Sequence, residues 1–248
     1  MVHLSLHEGD GQFGVFDMKI GIIGAGNIGG ALATLLAKAG HQIDIANSRG
    51  PATLSELATK TGARAATVEA AVLDKDVVVV TIPLNAIPSL PRDLFAKVPA
   101  KTIVIDTNNY YPRERDGAVA DIENGMTESA WVAKQLGRDV VKAFNMIYAT
   151  SLAELGKPAG QPGRIAIAVA GNDQASKAVV IGLIDEIGFD AVDAGSLDDS
   201  WRQQPGSPVY VKDHDAAGVR QALTEASPQR TDQWKATPRS PGTFDAPA

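Results

Sequence analysis

Apolar positions along the chain come in two kinds of run. Short unbroken ones, rich in Ile and Val, alternate with longer stretches in which Ala and Leu recur at helical spacing. Residues 18–23 form the first short run. Residues 28–39 follow with helical composition, and Gly40 is placed to cap that helix. Residues 42–46 read as a second strand. Pro51 sits just inside a helix start, with Leu54, Leu57 and Ala58 at helical spacing up to Gly62. Ala65 and Ala66 make a brief third strand, before a short helix at 67–73. Residues 76–82 contain VVVV, a β-branched run without alternation, as a central parallel strand buried on both faces requires. Pro83 ends it. The runs at 102–105 and 139–144 stop in the same way, at Asp106 and Asn145.

The alternation then continues more weakly, as a strand at 164–170, a helix at 173–187, a strand at 190–192 and a helix at 216–225. This rhythm predicts an α/β fold, a doubly wound parallel-sheet Rossmann domain with right-handed crossovers, followed by a small C-terminal α/β segment. From Pro228 onward prolines are frequent and periodicity is lost, which predicts a tail or an arm lying on another surface. There is no internal repeat.

Composition narrows the function. A net charge of −6 over 248 residues argues against a nucleic-acid surface. The absence of cysteine removes disulfides, thiolate nucleophiles and thiolate metal sites, and fits a cytoplasmic setting. The first 17 residues lack the basic region and apolar core of a secretory signal, and read as a mobile extension. Residues 20–37 carry no charge, but their five glycines and Asn27 divide them into strand, turn and helix rather than a membrane span. A small-molecule partner, with neither nucleic acid nor membrane, is expected.

The glycines of that stretch carry chemistry. Gly24-Ala25-Gly26-Asn27-Ile28-Gly29 is a GxGxxG directly after the first strand and at the opening of the first helix. Gly24 permits the tight turn, Gly26 lets a pyrophosphate approach the backbone, and Gly29 allows the helix to pack closely on the strand. The helix N-terminus, with Asn27 and Ile28, offers free N–H groups and a positive dipole end to phosphates. The second strand ends in Asn47-Ser48-Arg49-Gly50, where an NAD-binding chain carries an acid that binds the ribose hydroxyls. Asn47 lacks the charge that would repel a 2′-phosphate, Ser48 supplies a hydrogen bond, and Arg49 a charge-assisted contact. The bland alternative is a solvated turn with an incidental Arg. Asp44 lies at nearly the usual spacing for the ribose acid, but inside the strand. NADP(H) is the expected cofactor.

With these elements placed, the chain resembles the NADP-dependent oxidoreductases related to the 8-hydroxy-5-deazaflavin:NADP oxidoreductases. The segments MKIGIIGAGNIGGALA, ANSRGP, VVVVTIPL, DTNNYYP, VVKAFN and VAGNDQASKAVVIGLIDEIGFDAVDAG carry the resemblance, over roughly residues 18–195. The segment DSWRQQPGSPVY resembles a bacterial branch of that family. The resemblance implies that Ser48 and Arg49 recognise the 2′-phosphate, that a deazaflavin is the co-substrate in a cleft between two domains, and that the protein is a homodimer. The expected organisation is an NADP-binding Rossmann domain at 18–150 and a smaller substrate or dimerisation domain at 151–227, flanked by an extension at 1–17 and a Pro-rich tail at 228–248 in which the chain departs from the compact family pattern.

Strand ends supply the remaining candidates. Thr81, Ile82 and Pro83, with Ala143 and Asn145, are expected to line the coenzyme. Asn108, Asn109, Asn145 and Trp201 are candidates for the substrate side, with no certain catalytic residue and no metal site. Asn108 and Asn109 either bond a ligand amide or carbonyl or close a turn, and Trp201 either caps the cleft or anchors an interface. Lys142 either faces the site or pairs with a buried carboxylate. Of the four histidines, His3 and His7 fall in the extension, His41 precedes the second strand, and His214 reads as a surface residue. The expected function is transfer of a hydride between NADP(H) and a deazaflavin, another flavin-like compound or a small acceptor. The alternatives are a β-hydroxyacid-dehydrogenase-like or imine reductase, for which Lys157 before Pro158 is a poor helical candidate base, and a non-catalytic NADPH-binding sensor module.

Overall fold

Val77, Val78, Val79 and Val80 are each at most 1% exposed, and they face two different cores in turn. Val77 and Val79 join an apolar cluster with Leu32 and Leu36, whereas Val78 and Val80 join another with Val104, Trp131 and Val132. With a helical layer on each face, no position in the run has a polar side to turn to. Full burial of one such side chain contributes about 1.5–3 kcal/mol.

The computed structural model describes residues 17–236. Residues 1–16, with His3 and His7, and residues 237–248 lie outside the described residues, and with them most of the expected extension and the end of the expected tail. In chain order the first unit comprises β1 (Lys19–Ile23), α1 (Asn27–Lys38), β2 (Gln42–Ala46), α2 (Ser55–Thr61), β3 (Arg64–Ala65), α3 (Val68–Val72), β4 (Val77–Val80), β5 (Ile103–Asp106), α4 (Ala120–Glu123), α5 (Glu128–Leu136) and β6 (Val141–Lys142). The sheet order is β3-β2-β1-β4-β5-β6, with every pairing parallel. The order reverses between β1 and β4, which opens a crevice at the carboxyl ends of the strands.

β6 is shorter than the run at 139–144 predicts. Ala143 N–H still donates to Asp106 O at 3.1 Å, but Phe144 then adopts a left-handed backbone (φ 63°) and turns the chain off the sheet. The chain continues through α6 (Ala149–Glu154), β7 (Ala166–Val169), α7 (Gln174–Glu186), β8 (Asp190–Asp193) and α8 (Ala216–Glu225). β7 and β8 form a parallel pair, which hangs on the first sheet by an antiparallel bridge between Lys142 and Ala170. One apolar cluster runs from Ile20 and Ile22 through Leu152 to Ile167, Val180 and Leu223. The C-terminal elements are therefore built on the edge of the Rossmann sheet with a shared core.

α1 comes down onto the sheet at the glycine turn. Gly24 has φ 119°, and a Cβ there would lie 2.3 Å from Thr81 O; a Cβ on Gly29 would lie 2.0 Å from Gly24 O. Gly29→Ala must lift the helix start off the strand. We expect a loss of about 1–3 kcal/mol, the usual range for overpacking, read as a lower urea midpoint with an unchanged slope. An unaltered midpoint would show that the turn yields at no cost.

Candidate active site

The coenzyme side begins where Gly24 N–H bonds to Ala46 O at 2.8 Å, tying the glycine turn to the end of β2. Gly26 is exposed, and a Cβ built on it meets nothing within 4 Å. Its function as a glycine is thus not explained by packing within the chain, unlike that of Gly24 and Gly29. Asn27 is exposed and Ile28 half-buried at the first turn of α1, whose N-terminal residue Gly26 carries no side-chain cap. The first N–H groups of the helix are therefore left without a side-chain cap, the arrangement that suits an anion.

Asn47 is the hinge of the neighbouring loop. Its Oδ1 accepts from Arg49 N–H at 2.9 Å and from Thr53 Oγ1 at 3.3 Å, while its Nδ2 donates to Thr53 Oγ1 at 3.0 Å. Gly50 follows with φ 85°. The side chain thus folds the backbone of Ser48, Arg49 and Gly50 into a turn. Ser48 and Arg49 are exposed, and neither side chain has a hydrogen-bond or ion-pair partner among the described residues. Asp44 sits inside β2, buried, and receives both Arg64 Nε (2.8 Å) and Arg64 Nη2 (2.6 Å), with Lys75 at 3.1 Å. Burial opposes its ionisation, but these two cations outweigh burial and hold the carboxyl below its usual range. It is a structural carboxylate.

The ends of β4, β5 and β6 make the other half. Thr81 and Ile82 are half-buried and Pro83 is exposed, at the rim. Asp106 has no exposed surface: Oδ1 accepts from Asn108 N–H (2.9 Å) and Nδ2 (2.8 Å), and Oδ2 from Ser129 Oγ (2.5 Å). Asn108 is therefore part of a turn built by Asp106, and its own Oδ1 is buried without a partner. Asn109 and Asn145 bond each other: Asn145 Nδ2 donates to Asn109 Oδ1 (3.0 Å), and Asn109 Nδ2 to Asn145 O (2.8 Å). Gln203 completes the group, receiving Asn145 Nδ2 at its carbonyl (2.6 Å) and donating Nε2 to Asn145 Oδ1 (3.0 Å).

Two expectations change as a result. The Asn145 side chain is buried and committed on both faces to Asn109 and Gln203, so it joins the two parts of the chain instead of facing a ligand. Ala143 has no exposed surface, because its side chain belongs to the core behind the strand end. Trp201 is half-buried and lines a groove of about 560 Å³ with Met126, Thr127, Ala130 and Asp198, and its ring carries the Arg202 guanidinium at 5.2 Å. Lys142 has no exposed surface and donates to Asn108 O at 3.0 Å. His41 is buried against Glu186 at 2.9 Å. His214 is half-buried beside Gly218 in the turn before α8.

Comparison with known proteins places this arrangement. Residues 19–110 match the family model described as NADP oxidoreductase, coenzyme F420-dependent. The crystal structure of the hypothetical protein SMa0349 from Sinorhizobium meliloti is 32% identical, covers 80% of this chain and 95% of its own, and superposes with a TM-score of 0.66. The chain belongs to the F420-dependent NADP oxidoreductase family. A "putative f420 dependent nadp-reductase" from Arthrobacter sp. FB24 shares the fold at 24% identity and a TM-score of 0.60, over 74% of this chain and 87% of its own. Protein YjhV of Escherichia coli (strain K12) is 46% identical over 66 residues, 27% of this chain, and the match spans 48% of that protein, about half its length.

In this family member the ends of β5 and β6 are covered by residues that no local motif marks. Glu128, at the start of α5, has no exposed surface, and burial pushes its carboxyl up while Lys142 and Arg230 pull it back. Lys142 Nζ lies 3.5 Å from Oε2, and Arg230 Nη2 2.5 Å from Oε1. Arg230 also stacks 4.9 Å over the Tyr110 ring, and Tyr110 donates its hydroxyl to Glu123 Oε1 at 2.9 Å. Ala236 N–H reaches the same Glu123 oxygen at 3.0 Å. Between these anchors Trp234 lies over Gly206, where a Cβ would meet its ring at 2.4 Å, and packs on Tyr111 and Tyr210 at centroid distances of 6.2 and 6.1 Å. Residues 228–236 are thus a strap between the segment that follows β5, through Tyr110, Tyr111, Glu123 and Glu128, and the C-terminal segment at Gly206 and Tyr210. Only the isolated Trp and Arg in a Pro-rich segment could have signalled it.

Among the described residues, Arg230→Ala leaves Glu128 with Lys142 as its one cation, beside the Tyr110 N–H. Removing one partner from a buried pair costs about 3 kcal/mol or more, so urea unfolding is expected to shift by that amount. Trp emission is expected to move to the red as the strap lifts, and unchanged stability would show that Lys142 suffices.

Proposed function

We propose that the protein is an NADPH-dependent oxidoreductase that moves a hydride between NADP(H) and a deazaflavin, or another flavin-like or small acceptor. The observation that carries this reading is the loop at the end of β2: Asn47 shapes it from within, and Arg49 stands exposed without a partner. A neutral hinge and a free guanidinium suit a 2′-phosphate, which a carboxylate at the same place would repel. Gly26, open to solvent at the start of α1, suits the pyrophosphate. When bound, the coenzyme supplies the hydride. The protein's own part is to hold two rings at close range and to keep water out. Thr81, Ile82 and Pro83 offer the wall on the nicotinamide side.

The β-hydroxyacid-dehydrogenase or imine-reductase reading has less support. It asks for a catalytic Lys within a helix after the Rossmann unit, but Lys157 lies outside the helices and holds the carbonyls of Pro162 (3.1 Å) and Gly163 (2.9 Å). A homodimer belongs to the proposed reading, supported by the large apolar side chains of Tyr148 and Leu155, 49% and 45% exposed, flanking α6.

Calorimetry tests the coenzyme assignment. NADPH is expected to bind at least about tenfold more tightly than NADH, and Arg49→Ala to erase most of the difference, about 1–3 kcal/mol for a charge-assisted contact. Equal affinities in the unaltered protein would overturn it. Stopped-flow absorbance with oxidised 8-hydroxy-5-deazaflavin tests the acceptor: persistence of the reduced nicotinamide signal at high protein concentration would favour a sensor module.

A further inference from the structure

A neutral hydride acceptor gains a negative charge and must also receive a proton. Tyr111 and Tyr210, 99 residues apart in the chain, bring their hydroxyls into a mutual hydrogen bond. Their location follows from the coenzyme assignment, on which this inference rests. With the 2′-phosphate at Arg49 beyond β2 and the pyrophosphate at Gly26 beyond β1, the nicotinamide end runs over β4, β5 and β6. The tyrosine pair is fastened to all three of those strand ends. Tyr111 follows β5, and its N–H donates to Asp116 Oδ2 at 2.7 Å, while Asp116 Oδ1 accepts from Asn85 N–H (3.2 Å) in the turn after β4. Beside Tyr210, Val211 N–H donates to Met146 O (2.8 Å) beyond β6, with a left-handed backbone (φ 46°) that a β-branched residue adopts only under constraint.

The two phenols are not equivalent. Burial raises both, but the hydrogen bond with Tyr210 eases ionisation of Tyr111, and the same bond opposes that of Tyr210. Either hydroxyl can donate in this bond; when Tyr210 donates, Tyr111 keeps its own proton for another acceptor. The Arg115 guanidinium, 4.9 Å over the Tyr111 ring, also eases ionisation of Tyr111, as does Asn109; Glu128 acts against both phenols and Glu114 against Tyr210. Both rings are half-buried, so the pair is neither sealed in the core nor bathed in solvent. Trp234 packs on both rings and covers one side.

We propose that Tyr111 is the proton donor of the reaction, with Tyr210 its positioning partner, open to solvent for reprotonation, and Trp234 the cover over one side of the pair. In the direction of acceptor reduction, the acceptor carbon receives the hydride, two electrons and one proton, of the reduced nicotinamide. Tyr111 Oη–H breaks and its proton passes to the acceptor heteroatom that gains the electron pair. The phenolate takes the proton of Tyr210, and solvent restores that of Tyr210. Oxidation runs the same steps backwards.

The first test needs no coenzyme. In the full chain labelled with 13C at tyrosine Cζ, the Tyr111 resonance, assigned by its loss in Tyr111→Phe, reports ionisation across a pH titration. In Tyr210→Phe, Tyr111 is expected to ionise about one pH unit higher than in the wild type, because a donor to the phenolate has been removed; an unmoved titration overturns the proposal. The second test is single turnover of bound NADPH with oxidised 8-hydroxy-5-deazaflavin. Tyr111→Phe keeps the ring under Trp234 and is expected to slow transfer about 10²–10⁴-fold with an unchanged NADPH Kd. Tyr210→Phe moves the alkaline fall of the rate upward, which loss of packing alone would not do. NADPH binding with Tyr111→Phe at full rate overturns this proposal alone. Failure of the wild type to bind NADPH overturns the proposed function and this inference with it. A wild type that binds NADPH but leaves the deazaflavin oxidised overturns this inference while the coenzyme assignment stands.

Discussion

Glu128 is a carboxylate without access to water, and the acceptor side of the molecule is organised around neutralising it. An unpaired buried charge costs several kcal/mol, so the groups that answer it are held firmly. Lys142 comes from β6, and the same ammonium grips Asn108 O beyond β5. Arg230 comes from the far end of the chain and brings Trp234 over Tyr111 and Tyr210. One residue along, Ser129 bonds Asp106, which shapes the turn carrying Asn108. Strand ends, helix start and strap are thereby coupled through one buried oxygen pair.

The coenzyme side is built on the opposite plan. Its parts are backbone and small residues that satisfy one another and leave functional groups free: Gly26 open, Asn47 committed to its own loop, Arg49 without a partner among the described residues. A dinucleotide brings its own charge and hydrogen-bonding capacity, so a preformed cradle with spare donors suits it. The ends of β5 and β6, the proposed acceptor side, instead hold polar groups in a dry and over-determined setting. Phe144 and Val211, both left-handed, lie on the two segments that meet there. Strain of this kind persists only where the surroundings enforce it.

Much of the fold was legible because its signals are local. An unbroken Val run can only be a strand buried on both faces, and the glycine turn between a strand and a helix has one common architecture. β6 was read too long because the departure of Phe144 from the sheet comes from the chain's return across the strand end, not from its own residue type. The partners of Asn145 are hidden from the sequence for a similar reason. A polar residue at a strand end looks free for a ligand until Gln203, far along the chain, takes both ends of its amide.

The sequence by itself determined the parallel sheet, the glycine turn and the character of the loop after β2, since each depends on residues within one short segment. Tertiary structure alone decided the acceptor side. Glu128 meets Arg230, and Tyr111 meets Tyr210, across separations of 102 and 99 residues. No periodicity reports such encounters. They arise when a buried charge and a pair of half-buried phenols find partners from whichever segment the packed core brings within reach.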